Sequence, residues 1–145
     1  MDHVVYVDAK ARELEKLLSG EKTMIVRGAT GRKLPYGRVE SGDCLFFVEN
    51  NGEGIVHAGA TAGNVFNSEK LTEAQAAELL RGSQSKLNLT PEQFKRWSGK
   101  RYLVLIEVRQ AQAIDPFAID RSQYGNMDDW LVVNNIESVK SNIGN

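Results

Sequence analysis

Cysteine is nearly absent from the chain. One thiol, Cys44, leaves no partner for a disulfide framework and no ligand set for a cysteine-built zinc cluster. Cys44 opens the apolar run Cys44-Leu45-Phe46-Phe47-Val48, where a small buried hydrophobe is expected. Histidine is almost as scarce. His3 and His57 stand in no H-x-x-x-H relation, and His57 falls in a strand-like run, so a structural role is expected for it and no metal site or cofactor is anticipated. The formal net charge is −1, so no global basic field marks the chain for nucleic acid or membrane. Any polyanion site must be a local patch. No apolar run approaches the ~20 residues of a membrane span. The opening MDHVVYVDAK lacks a basic segment followed by an apolar one, so the sequence reads as cytoplasmic.

Several phosphate and nucleophile motifs are missing too. A P-loop needs G-x-x-x-x-G-K-[ST], but Gly31 is followed by Arg32, Lys33 and Leu34. Gly52-Glu53-Gly54 begins like a dinucleotide fingerprint and then places His57 at the third glycine. No G-x-S-x-G elbow is present.

What is there fits one globular domain over residues 1–145, with 41% hydrophobic and 26% charged residues. Val4 to Val7 reads as a strand. Asp8 is a plausible N-cap, and Ala11, Leu14, Leu17 and Leu18 then share a helical face that Gly20 can close. Thr23 to Arg27 is strand-like, with Thr23, Ile25 and Arg27 on one face and Met24 and Val26 on the other. Asn50-Asn51-Gly52 signals a hairpin between Cys44–Val48 and Ile55–Phe66, and Gly59 and Gly63 signal bulges or bends in the return strand. Thr72-Glu73-Ala74-Gln75 and Thr90-Pro91-Glu92-Gln93 match the capping box, so two helices are expected, with Gly82 and Gly99 able to end them. Tyr102 to Arg109 is the clearest strand: Leu103 and Leu105 face one way, Tyr102, Val104, Ile106 and Val108 the other. Beyond Pro116 the pattern is irregular apart from the strand Trp130–Val133. Short bent strands without βαβ alternation predict a small α+β barrel with flanking helices and a helical insert over 69–100.

Cations concentrate between Lys22 and Arg38. Lys22, Arg27, Arg32, Lys33 and Arg38 have no acid between them; Glu21 and Glu40 bracket them. Arg27 emerges at a strand end beside the loop of Arg32 and Lys33, a geometry that can hold phosphate oxygens or, equally, leave the cations paired with scattered acids. A second cluster, Phe94 to Tyr102, interleaves aromatics with cations, but Phe94 and Trp97 lie three apart on a helix and are expected mainly in the core.

The octapeptide Gly20-Glu21-Lys22-Thr23-Met24-Ile25-Val26-Arg27 resembles the G-x-K-x-x-E-x-R signature of ASCH domains in the PUA-like superfamily. Val39-Glu40-Ser41-Gly42-Asp43-Cys44-Leu45-Phe46-Phe47 resembles the glycine–aspartate turn and apolar strand that follow it, and the order of elements agrees over about residues 4–110. The resemblance implies a PUA-like barrel with a cleft of a kind often proposed to bind RNA. It also implies that some relatives are amidohydrolases on acetylated cytidine, with G-x-K-T-x-T-x-R, a lysine and the second threonine as catalytic groups. Gly20, Lys22, Thr23 and Arg27 match. Ile25 replaces both the signature acid and the hydrolase threonine, and has no hydroxyl to activate.

The expected function is therefore an RNA- or nucleotide-binding module. Lys22 and Arg27 would meet phosphate or base edge, and Arg32, Lys33 and Arg38 would steer the backbone. Tyr36 and Trp130 would stack on bases, or else pack against Pro35 and in the last strand respectively. The alternative is a small hydrolase or ribonuclease centred on Lys22, with Glu40, Asp43 or Glu107 as its acid, Glu107 being expected toward the barrel interior. A third possibility is a protein-interaction role for the insert. The oligomeric state is left open.

Overall fold

The computed structural model describes residues 1–124 and 129–141. Among the described residues, six segments rich in apolar and β-branched residues form one sheet. The strands are β1 (Asp2–Val7), β2 (Met24–Ala29), β3 (Cys44–Glu49), β4 (Ile55–Asn67), β5 (Tyr102–Ala118) and β6 (Trp130–Val133). Their order is β2-β5-β4-β3-β1-β6, antiparallel except for the parallel pair β1–β3. Among the described residues four α-helices accompany them: α1 (Glu13–Ser19), α2 (Glu73–Gly82), α3 (Gln84–Leu87) and α4 (Pro91–Ser98). The architecture is α+β, a mixed half-barrel with α1 near one end and α2–α4 as the insert.

The two-residue period of the strands divides the core. The inner face carries residues from all six strands, among them Val5, Ile25, Phe47, Ala62, Ile106 and Trp130, and α1 packs on it through Leu14 and Leu17. The outer face is covered in two patches. The insert lays Ala76, Leu80, Leu87 and Leu89 over Val26, Leu103 and Leu105. A 3-10 turn at Ile136–Val139 covers Val4, Val48 and Leu131. The residues expected to share a face on β2 and on β5 do share one, but the face of Leu103 and Leu105, expected with Glu107 toward the barrel interior, lies under the insert; both capping boxes are formed.

Several local expectations need correction. Asp8 does not cap α1 directly. Its Oδ1 accepts the Ala11 amide, a preceding turn is made, and the helix opens after Arg12 at φ 58°. Leu18, expected on the buried face with Leu14 and Leu17, is exposed. Cys44 is also exposed, because the inward positions of β3 are Leu45 and Phe47. The hairpin exists, but its connection spans 50–54 with Gly52 and Gly54 at positive φ, so it is no two-residue turn. β5 runs past Arg109 and Pro116 to Ala118, with Gln110 at φ 56° taking up the bend. Of the irregular tail, 125–128 and 142–145 lie outside the described residues. Register shifts in β4 lie between Gly59 and Thr61 and between Ala62 and Val65, beside the glycines expected to mark them.

Gly28 fixes how closely β2 meets β5. A methyl group there would lie 2.6 Å from Leu103 Cδ2 and 3.0 Å from the Tyr102 carbonyl oxygen. Backbone cannot yield as a side chain does, so Gly28→Ala should lower stability by about 1–3 kcal/mol, read by urea denaturation.

Candidate ligand site at the barrel seam

No backbone ladder joins β2 to β6 among the described residues, so the half-barrel has a seam. Arg27 crosses it. The parity of β2 points Arg27 to the inner face with Ile25, and its guanidinium turns to the far edge of the sheet. Nη2 donates to the Tyr6 carbonyl of β1 at 2.6 Å, and Nη1 donates to the Val26 carbonyl at 2.7 Å. The group lies against two indoles, 5.8 Å from the Trp130 centroid and 5.9 Å from that of Trp97 on α4. Nε is buried and makes no hydrogen bond; the nearest acid oxygen, Asp129 Oδ2, is 3.5 Å away. Arg27 is 5% exposed, whereas the Asp129 side chain is 60% exposed.

Lys22 lies at the root of the same strand and is wholly buried. Its ammonium is 3.3 Å from Glu13 Oε2 and donates to the Leu87 carbonyl at the end of α3. Glu13 also accepts the Asp8 amide at 2.8 Å. Lys22 thus joins β2, α1 and the insert. Burial lowers its pKa, partly offset by Glu13, and the nearby charges of Arg27 and Lys16 lower it further. The acids named from sequence do not serve it. Glu40 is exposed, Asp43 is bound elsewhere, and Glu107 lies on the outer face with Leu103 and Leu105, 3.8 Å from Arg109. The partner missed from sequence was Glu13. Its signal was position, since Glu13 precedes Leu17 by one helical turn and so shares the buried face of α1.

The loop cations sit one step along the same face. Arg27 is paired with Val104 and Ala29 with Tyr102, and Val104 and Tyr102 are two residues apart on β5. Arg32 lies over Tyr102 and Tyr36, 5.5 and 5.6 Å from their centroids. Tyr36 is half-buried, packs edge-on against Tyr102, and donates its hydroxyl to the Ser68 carbonyl at 2.6 Å. Lys33 and Arg38 are exposed, with no ion pair or hydrogen bond from their side chains among the described residues. Trp130 is fully buried, so stacking on a base would require it to leave the core. The half-buried Trp97 is the indole at the seam that retains an exposed portion.

Behind Trp130 lies a buried polar chain. The indole N–H donates to His3 Nδ1 at 3.0 Å, and His3 Nε2 lies 2.8 Å from Asp43 Oδ2. An indole nitrogen only donates, so Nδ1 must be the unprotonated nitrogen, and Nε2 carries the hydrogen bonded to Asp43. Burial pushes the His3 pKa below its ordinary value, against the pull of Asp43. Burial pushes Asp43 upward, but hydrogen bonds from the Glu40 amide, His3 and the Met1 amino group outweigh it and hold its pKa down. Both depressed pKa values mean that the unfolded chain binds more protons on acidification. The stability they contribute is present above about pH 6.5 and is lost below it, first toward the folded pKa of His3 and then toward that of Asp43. The midpoint of thermal unfolding should therefore fall between neutral pH and pH ~5, and fall less in His3→Gln.

Among the described residues no group of three or more His, Cys, Asp or Glu is placed to hold a metal ion, and no helix is long and apolar enough to cross a membrane. No protein-family model matches the chain, and no curated protein does. Solved structures do. The crystal structure of an ASCH protein from Zymomonas mobilis superposes with a TM-score of 0.69 at 14% identity, covering 97% of this chain and 96% of that one. A tyrosine-to-phenylalanine mutant of the Zymomonas mobilis protein matches with TM-score 0.69 and 15% identity over 97% and 99% of the two chains. A serine-to-alanine mutant gives 0.70 and 15% over 94% and 91%. At such identity the likeness is one of fold, and it extends over nearly the whole of both chains. The half-barrel with its helical insert has the fold of these ASCH structures.

Proposed function

We propose that the seam is a nucleotide-sized binding site for RNA, with Arg27 as its anchor. The observation that carries this reading is the Arg27 Nε–H, buried between two indoles with no hydrogen bond and only a largely exposed Asp129 nearby. A phosphate or base-edge oxygen that replaces Asp129 would satisfy that donor with a charge-assisted bond. Lys22 is wholly buried and held by Glu13 and the Leu87 carbonyl, so its part is to anchor the root of the strand that carries Arg27. The exposed part of Trp97 offers a surface for a base, and Arg32, Lys33 and Arg38 extend the positive strip along the sheet end.

Short single-stranded RNA oligomers of varied sequence, followed by fluorescence anisotropy over a range of salt, test this. Affinity should fall with salt, by about 0.7 in log–log slope for each phosphate engaged. Arg32→Ala and Lys33→Ala should each reduce that slope. Absence of binding at low salt across the whole set would overturn the reading.

A second reading has one observation of its own. Lys22, with its pKa lowered and a carboxylate 3.3 Å away, is arranged as an acid–base pair. Turnover of an acylated nucleoside or of RNA that persists in Arg27→Lys and vanishes in Lys22→Met would favour a hydrolase over a binding module.

A further inference from the structure

The chain of contacts Asp43–His3–Trp130–Arg27 runs from the Gly42-Asp43 turn to the seam. Each link has a defined geometry. Gly42, at φ 97°, turns the backbone so that Asp43 follows it into β3's edge. Asp43 takes His3 at 2.8 Å, His3 takes the Trp130 indole at 3.0 Å, and the Trp130 ring lies 5.8 Å from the Arg27 guanidinium carbon. His3, Trp130 and Arg27 are all buried, so none of these links is shared with solvent. Neither His3 nor Asp43 reaches the ligand surface.

We propose that His3 and Asp43 are positioning residues of the seam: they hold Trp130 in the orientation that packs against Arg27, and protonation of His3 releases it and weakens ligand binding. This rests on the reading of the seam as a ligand site. The argument is one of donors and acceptors. Neutral His3 has one acceptor, Nδ1, and Trp130 uses it. A proton arriving from solvent can be added only at Nδ1, which then becomes a donor facing the indole N–H. The Trp130 bond is lost and its ring is free to move, so the Arg27 guanidinium loses one of its two flanking indoles.

The charges around His3 act in both directions. Asp43 before β3 favours the imidazolium, as does Asp2 on the same strand, while the Met1 amino group opposes it. On β2 the charged group against Trp130 is Arg27. Burial decides the balance against the charged ring.

The direction of the expected effect makes it diagnostic. Acidification makes any protein more cationic, which strengthens RNA binding in general. Here wild-type affinity for a labelled RNA oligomer should weaken once the pH falls below the folded pKa of His3. The limiting slope is tenfold per pH unit, the linkage of a single proton. His3→Gln offers Trp130 an amide oxygen and Asp43 an amide N–H without a titrating proton. It should bind within about threefold of wild type at pH 8 and lose the acid-side fall. An equal fall in His3→Gln and wild type would overturn the proposal, as would no fall in wild type.

A second measurement separates this inference from the reading beneath it. In a proton–nitrogen NMR titration without RNA, the Trp130 indole and Arg27 Nε–H signals should shift together with a single pKa in wild type. Neither should do so in His3→Gln. If they shift together and no RNA binds, the coupling stands and the ligand reading falls. If RNA binds but the signals titrate independently, the coupling falls.

Discussion

Glu13→Gln is expected to lower the unfolding free energy by about 3–5 kcal/mol at neutral pH, the cost of leaving a buried ammonium without its countercharge. Lys22 has 1% of its side chain exposed and Glu13 7%, so water cannot replace the lost partner. The Leu87 carbonyl remains as an acceptor, but it carries no net charge to offset desolvation. The pH dependence has a definite sign. Burial already lowers the Lys22 pKa, and loss of Glu13 lowers it further. The unfolded lysine then binds a proton that the folded one does not, so the variant should recover stability as pH rises through the folded Lys22 pKa toward the ordinary lysine value. A paired change, Glu13→Leu with Lys22→Met, replaces both ions with apolar groups of similar volume and should restore most of the loss. Urea denaturation at neutral and mildly alkaline pH measures all three chains. A neutral-pH loss under about 1 kcal/mol in Glu13→Gln would show that the ammonium does not depend on Glu13.

The position of Lys22 also explains what could be read from sequence and what could not. Period-two parity along Thr23–Arg27 and Tyr102–Val108 was sufficient to group Ile25 with Arg27 and Leu103 with Leu105, but not to tell which face is inner: both faces are apolar because each is buried against a different layer, and the Leu103 and Leu105 face, expected toward the barrel interior with Glu107, lies under the insert. Capping boxes were equally legible, since Thr72 and Thr90 satisfy backbone groups a few residues away. What failed was long-range. Glu13 meets Lys22 only because the chain reverses after α1, where the Lys22 amide donates to the Lys16 carbonyl, and His3 meets Asp43 and Trp130 only because β1 lies between β3 and β6. No local pattern encodes either juxtaposition. Cys44 misled for the opposite reason: an unbroken apolar run hides which of its residues face inward, and in β3 those are Leu45 and Phe47.

Ile25 acquires a physical reason in this setting. It is fully buried on the inner face, opposite Ile106 and two residues from Arg27. An acid there would lie on the same strand face as Arg27, whose role would then be to neutralise it. With isoleucine in place, Arg27 has no carboxylate beside it on β2 and turns instead to the Tyr6 carbonyl, the indoles and the exposed Asp129. The same replacement that removes a nucleophile or an acid thus leaves a guanidinium whose Nε makes no hydrogen bond and is paired only with the exposed Asp129.

Arg27 is therefore both the clasp of the seam and the anchor of the proposed site, and Arg27→Lys compared with Arg27→Met separates the two roles, since both loosen the clasp and only the second removes the charge. Lysine keeps the charge but lacks the planar fork whose two nitrogens reach the Tyr6 and Val26 carbonyls separately, so it should lose about 1–3 kcal/mol of stability. Methionine keeps the apolar stem between the indoles, loses the same two bonds, and should cost a similar amount. Their effects on RNA binding should diverge. Removing the one charge-assisted contact should weaken affinity about 10- to 100-fold in Arg27→Met and lower the salt slope by about 0.7, while Arg27→Lys should keep the slope and lose less affinity. Both are compared at a temperature where denaturation curves show each variant folded. Equal affinity in wild type and Arg27→Met would leave Arg27 as a clasp alone, and the ligand site would have to be sought among Arg32, Lys33 and Arg38, the loop cations that do not close the seam.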